Sequence, residues 1–225
     1  LIPLYGFAGM LVSLPWALGV FRRDSHRPAA YLNILLTLLA FIHGSLVLRD
    51  VMAGGPTLLT FPWLNVADLN LEISFSLSLT NVSALELITG LSFFSQLYSL
   101  GYLDKEWALA RFFALLGFFE GAMSGVVLSD SLFQSYFLLE MLTLSTYLLV
   151  GFWYAQPLVV TAARDAFLTK RVGDVMLLMG MVALATWSGV TSFDDLYAWS
   201  AADTISPLAA TLLGLGLIAG PTGKC

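Results

Sequence analysis

Seven apolar runs, separated by short polar or turn-rich connectors, decide what this chain can become. They lie near 1–21, 30–50, 80–102, 109–129, 131–155, 164–189 and 205–225. A helix that crosses a bilayer needs about 20 mostly apolar residues, because in lipid the backbone must satisfy its own polar groups. The connectors RRDSHRP (22–28), LDKEW (103–107) and SDS (129–131) punctuate the runs. Charged residues make up only 11% of the chain, against about 25% in a soluble domain. The predicted fold is an all-α polytopic membrane protein of about seven transmembrane helices.

Charge and cysteine content exclude several function classes. The net charge is −5, and no basic stripe is present to meet phosphates, so a nucleic-acid partner is not expected. Cys225 is the single cysteine. That rules out an internal disulfide, a CxxC redox pair and a cysteine-rich metal or iron–sulfur site. No metal or cofactor is expected in this chain. The first run is long, contains Pro3 and Pro15, and lacks a preceding basic region, unlike a cleavable signal peptide.

Two connectors carry structure of their own. LNLEISFSLSL (69–79) alternates apolar and polar residues, the period of a strand. With TLLTFPWLN (57–65) it predicts a β-hairpin over about 57–79 on one membrane surface. SFDDLYAWSAADT (192–204) predicts a short interfacial helix with Ser192 or Asp194 near its start. Basic residues set the orientation. Arg22, Arg23, Arg27, Lys105, Arg111, Arg164, Lys170 and Arg171 fall on alternate connectors, with Arg49 alone opposite. That bias puts the first loop in the cytoplasm and the N-terminus on the other side, with the hairpin and Asp194, Asp195 and Asp203.

Ionisable groups inside membrane helices are costly, which makes each a functional candidate. They are His43, Glu86, Glu120, Glu140, Asp174 and Lys224. Glu140 has no possible partner in its own helix; the competing reading is a protonated, hydrogen-bonded carboxyl. Lys224 follows Gly220, Pro221, Thr222 and Gly223. Pro221 removes a backbone hydrogen bond, so this run is expected to be broken, and broken spans line polar cavities in transporters. The competing reading of Lys224 is a plain helix end at the interface. Arg171 and Asp174 are three residues apart, on one helix face, as an ion pair that is either functional or structural. His43, Glu86 and Glu120 share one depth and can form a polar cluster or be satisfied singly. GPTGKC is no phosphate loop, because Ile218 replaces the required first glycine and no strand precedes it. Gly121, Gly125 and Gly151 read as close helix packing, and the many aromatics as lipid-facing or interfacial.

These residues carry a resemblance to a known family. VVLSDSLFQSYFLLEMLTLSTYLLVGFWY resembles the fifth-helix signature of complex I antiporter-like subunits, close to "LFWELVGLCSYLLIGFW". ARDAFLTKRVGDVMLLMG is similar to their "KAFxxNRVGD", IAGPTGKC to "GAxGKSAQ", and LGYLDKEWALARFFALLGFF to "YSIGYMxxDxxYARFFAYLNLF". Order and spacing agree along essentially the whole chain. The chain most resembles the largest type, NdhF in photosynthetic organisms and NuoL in bacteria. EMLTLSTY in place of ELVGLCSY, GPTGKC in place of AVGKS, and Glu120 in FFEGAMSGVV are departures. They resemble the cyanobacterial variant of the carbon-dioxide-uptake NDH complex.

The resemblance implies helices 1–3 with the hairpin over 1–107. It also implies the start of an antiporter-like repeat over 108–225, cut within a broken seventh helix of a longer subunit. Glu140 and Lys224 are implied as a paired acid and base for proton transfer. Arg171 and Asp174 are implied as the pair that couples to a neighbouring subunit of NdhD type. His43, Glu86 and Glu120 are candidates for a polar path specific to the variant. Plastoquinone and iron–sulfur clusters are implied in other subunits only, and a carbon dioxide hydration protein at the distal end of the arm. The implied location is the cyanobacterial thylakoid membrane, N-terminus lumenal, in contact with lipid. Two rival readings are a subunit of a multisubunit sodium/proton antiporter and a membrane anchor for the hydration protein.

Overall fold

The computed structural model describes residues 1–21, 27–66, 69–202 and 205–224. Arg22, Arg23, Asp203 and Cys225, all used in reading the sequence, lie outside that set. The described elements are α1 (Ile2–Ala17), α2 (Arg27–Met52), β1 (Leu58–Val66), β2 (Leu69–Ser76), α3 (Leu79–Tyr102), α4 (Leu109–Leu128), α5 (Leu132–Val150), α6 (Pro157–Ser188), α7 (Phe193–Ala202) and α8 (Pro207–Lys224). The seven apolar runs are seven helices, and α7 is the short connector helix. By length and composition α2, α4 and α5 are apolar enough to cross a membrane. α6 is longer still, but Arg164, Asp165, Lys170, Arg171 and Asp174 fall within it.

Local chemistry sets the ends. The Ser78 hydroxyl accepts the Asn81 N–H at 3.2 Å and caps α3. That cap stops β2 at Ser76, short of the expected 79. β1 and β2 pair antiparallel from Leu58↔Ser76 to Val66↔Leu69, with an irregularity between Pro62 and Leu64. α6 starts at Pro157, seven residues before the expected 164, because proline suits a first turn and the apolar stretch after it continues the helix. It stops at Gly189, whose φ of 70° closes the helix through a bond to the Ala185 carbonyl. α5 ends at Val150 rather than 155, with Gly151 as its cap.

The broken seventh run needs correction. α8 is a continuous helix from Pro207 to Lys224 with Pro221 inside it. Proline costs the helix one backbone bond. Gly220 and Gly223 flank it and let α8 lie against its neighbour, and the Thr222 hydroxyl donates to the Ile218 carbonyl at 2.8 Å. Packing of this kind retains a proline within a membrane helix.

The chain forms two compact units, Leu1–Ser129 and Asp130–Cys225. In the first, α1 lies on α4 through glycine: a Cβ on Gly6 would sit 2.5 Å from the Gly121 nitrogen. Ile2, Ala40, Val82, Leu85 and Leu128 form one apolar core and Ala30, Leu109 and Phe113 another. In the second unit α6 packs on α8, again through glycines. Small residues let helices approach where lipid offers no hydrophobic drive to associate.

Candidate functional site

The second unit brings four charged side chains from α5, α6 and α8 into one file. An Arg171 Nη donates to Glu140 Oε2. Arg171 Nη2 also lies 4.0 Å from Asp174 Oδ2, one helical turn along α6. Lys224 Nζ lies 2.5 Å from Asp174 Oδ1. The file therefore alternates in sign: Glu140, Arg171, Asp174, Lys224. The expected Arg171–Asp174 pair is present, and the expected Glu140–Lys224 pair is not. Glu140 meets Arg171 rather than Lys224, and Lys224 meets Asp174.

Burial raises the stakes of this arrangement. Asp174 is 1% exposed. Neither of its oxygens makes an aligned hydrogen bond, and neither does Lys224 Nζ. The two charges are held by attraction alone, in a setting where an unpaired charge would be very costly. Arg171 is better anchored, with its guanidinium 4.6 Å from the centre of the Phe167 ring. Two elementary features produce the file. The three-residue spacing stacks Arg171 over Asp174. Gly173 and Gly223 then bring α6 and α8 together one residue before Asp174 and Lys224.

The first unit holds a second polar centre around Glu120, which is 1% exposed. Its Oε2 accepts the Thr37 hydroxyl at 2.6 Å, the Ser92 hydroxyl at 2.8 Å and the Gln96 amide at 3.1 Å. The same Gln96 amide donates to Thr37 Oγ1 at 2.7 Å. Glu120 Oε1, Gln96 Oε1 and Ser124 Oγ have no partner. Glu86 sits on the same α3 face as Ser92 and Gln96, at helical spacing. It accepts the Ser45 hydroxyl, and its other oxygen lies against Gly44, where a Cβ would be 2.5 Å away. Glu86 and Glu120 thus share the α2–α3 seam without touching. His43 stands apart from both: its ring meets Tyr5 edge-on at 5.9 Å.

Reading the sequence for charge alone missed Thr37, Ser92 and Gln96. The signal was present as polar residues at helical spacing, Glu86, Thr89, Ser92 and Gln96, within an otherwise apolar helix. On the connector before α5, Asp130 is buried and accepts the Ser192 hydroxyl at 3.3 Å, while its carbonyl accepts the Phe193 N–H. Burial holds its carboxyl above the ordinary carboxylate range, Asp194 and Asp195 push the same way, and the Ser192 bond pulls back. Among the described residues no cluster of three or more His, Cys, Asp or Glu has the geometry to hold a metal ion.

Comparison with known proteins agrees with this architecture. The family model for the transmembrane part of NADH:quinone oxidoreductase and Mrp antiporter subunits matches residues 129–225. The model for the N-terminus of complex I chain 5 matches residues 63–113. NAD(P)H-quinone oxidoreductase subunit 5, organellar chromatophore 2, of Paulinella chromatophora is 73% identical over the whole chain, which covers 37% of that relative. The chromatophore 1 subunit 5 of the same organism is 32% identical, again over the whole chain and 35% of the relative. The chloroplastic subunit 5 of Agrostis stolonifera is 31% identical over 90% of the chain and 28% of the relative. The chain thus spans about a third of the length of these relatives. In fold it is similar to the Mrp complex of Dietzia sp., with a TM-score of 0.72 at 20% identity, covering 96% of this chain and 23% of that one. It is also similar to an archaeal membrane-bound sulfane sulfur reductase, with a TM-score of 0.78 at 15% identity, covering 97% and 44%.

Proposed function

The chain belongs to the NdhF/NuoL type of complex I antiporter-like subunit, and on that premise we propose that it moves protons within the membrane arm of a quinone oxidoreductase complex. The observation that carries this reading is the alternating file Glu140–Arg171–Asp174–Lys224. Electrons pass to quinone in other subunits, which hold the iron–sulfur clusters; this chain contributes no redox centre. A charge shift arriving along the arm draws the Asp174 carboxylate away from Lys224. The ammonium then loses the negative charge that favours it and gives up its proton. When the file closes again, Lys224 takes up a proton from the other side. Glu140 reaches the file through Arg171, so a change at Glu140 is felt at Asp174 and then at Lys224.

The finer reading is a subunit of the photosynthetic NDH complex in its carbon-dioxide-uptake form, in the cyanobacterial thylakoid with a lumenal N-terminus. Its partners are an NdhD-type neighbour and a carbon dioxide hydration protein. Two observations support it. Paulinella chromatophora has two subunit 5 relatives, and the chain is 73% identical to one but 32% to the other, so it follows one of two diverged types. The second is the buried Glu120, which has no countercharge among the described residues and lies outside the Glu140–Lys224 file. Glu120 and Glu86 then belong to a local path that removes the proton released when carbon dioxide is hydrated. His43 stands against Tyr5 and joins that path only if the ring reorients.

The test is made on the full-length subunit in native membranes. Glu140→Gln abolishes proton uptake during electron flow to quinone, and Glu120→Gln lowers carbon dioxide uptake more than quinone reduction. Normal proton uptake in Glu140→Gln rejects the proton-carrying role. Equal, undiminished rates in Glu120→Gln reject the variant path. The fold shared with the Mrp complex favours one alternative, a sodium/proton antiporter subunit. Cation transport without any quinone reductase partner would establish that alternative.

A further inference from the structure

We propose that the glycine contact between α6 and α8 is the device that presses Lys224 against Asp174, making Gly173 and Gly223 positioning residues for proton transfer. This inference rests on the proton-carrying role of Lys224. A Cβ on Gly173 would lie 2.7 Å from the Ala219 carbonyl oxygen and 3.2 Å from the Gly223 Cα. A Cβ on Gly223 would lie 3.1 Å from the Gly173 Cα. Both obstacles are backbone, which cannot rotate aside, so any side chain at either position forces the helices apart. Each glycine immediately precedes one member of the ion pair. The approach that only glycine permits therefore fixes how near Lys224 Nζ comes to Asp174, now 2.5 Å.

The pair depends on that approach because, among the described residues, no hydrogen bond holds it. Both Asp174 oxygens and Lys224 Nζ lack aligned hydrogen bonds, and Asp174 is 1% exposed. The other charged groups facing it are Arg171, on the same helix, and Glu140 on α5, which reaches it through Arg171. Arg171 lies 4.0 Å from Asp174. When α8 moves away, Arg171 remains as Asp174's cation and Lys224 loses its partner. The helix spacing thus selects which cation Asp174 serves.

A second glycine contact on the same two helices provides an internal control. A Cβ on Gly180 would lie 3.0 Å from the Gly216 carbonyl carbon and 3.1 Å from the Leu217 nitrogen. It is two turns from Gly173, about 10 Å along the helix, and neighbours no charge. Gly180→Ala wedges the same interface without touching the pair.

The experiment measures protons moved per electron pair, quinone reduction and abundance of the assembled complex. The full-length subunit is used in its native complex, as Gly173→Ala, Gly223→Ala, Gly180→Ala, Asp174→Asn, Lys224→Met and the double variant Gly173→Ala/Asp174→Asn. The expected result is that Gly173→Ala and Gly223→Ala assemble and reduce quinone but pump at least fivefold less per electron pair. Gly180→Ala pumps normally when normalised to assembled complex, and the double variant is no worse than Asp174→Asn alone. Normal pumping in assembled Gly173→Ala or Gly223→Ala overturns the inference. Equal losses in Gly180→Ala, or additive losses in the double variant, overturn it as well, since they mark a packing defect and no more. If Gly173→Ala fails to assemble, Gly223→Ala decides, because its tightest contact is longer. Lys224→Met reports on the underlying reading separately: if it pumps, the proton-carrying role itself fails.

Discussion

Replacing Glu120 discriminates between a carboxyl that organises its surroundings and one that is merely tolerated. In Glu120→Leu the three donors on Oε2 lose their acceptor. Two of them, Thr37 and Ser92, are helix hydroxyls and can turn back to a carbonyl one turn earlier, as Thr89 does at 3.1 Å to the Leu85 carbonyl. Gln96 cannot turn back in this way, but its amide keeps Thr37 Oγ1 at 2.7 Å as an acceptor and loses only the bond at 3.1 Å. Three lost or weakened bonds cost about 0.5–1.5 kcal/mol each. Removing a buried carboxyl returns part of that, since its own desolvation disappears. The net expectation is a loss of about 1–3 kcal/mol. Glu120→Gln keeps an oxygen in place for all three donors. Its shape is nearly that of the carboxyl and it buries no charge, so its cost stays below about 1 kcal/mol. The assay is the temperature at which the full-length subunit dissociates from the membrane arm. Leu is predicted to lower it clearly and Gln hardly at all. A Leu variant as stable as wild type would refute the claim that the carboxyl holds α2, α3 and α4 together.

Further outcomes follow from other contacts. Asn33 is buried and donates to Ser13 Oγ at 2.9 Å and to the Phe113 carbonyl at 3.0 Å, tying α2 to α1 and α4. Asn33→Leu is expected to cost about 1–3 kcal/mol, read as a lower dissociation temperature of the first unit's helices in the assembled arm. Asp130 has a raised folded-state carboxyl value, so its protonated form stabilises the connector. That contribution is present below the ordinary carboxylate range and is lost as pH rises through the raised value. Protection of the Phe193 N–H against hydrogen exchange, corrected for intrinsic rate, is expected to fall with rising pH across that window. Asp130→Asn should remove the dependence.

Helices were legible in this sequence because seven runs exceed the length a buried apolar segment needs, and strict alternation marked β2. Ends were less legible where competing signals met. Pro157 fell between the fifth and sixth apolar runs but serves as the first turn of α6, and Pro221 looked like a break but is carried by glycine packing. Within the site, the Arg171–Asp174 proximity was readable because helical spacing alone sets it. The Glu140–Arg171 and Asp174–Lys224 contacts were not, since they join residues far apart in sequence. Which cation meets which carboxylate depends on how closely two backbones approach. Glu120 was visible as a charge in an apolar run. Its holders Thr37 and Gln96 were not, because a neutral polar side chain in a helix becomes informative only when its neighbours are known. His43 shares a helix with Thr37, yet its ring turns to Tyr5, a choice of side-chain direction that depth along the helix cannot predict.

The most direct test of the central claim is the number of protons moved per electron pair by the full-length subunit in its native complex, with Lys224 changed to Met. The account predicts that quinone reduction continues while proton movement through this subunit, and the carbon dioxide uptake coupled to it, is lost. Undiminished proton movement with intact electron flow would contradict it and leave the Asp174–Lys224 pair a structural contact between two helices.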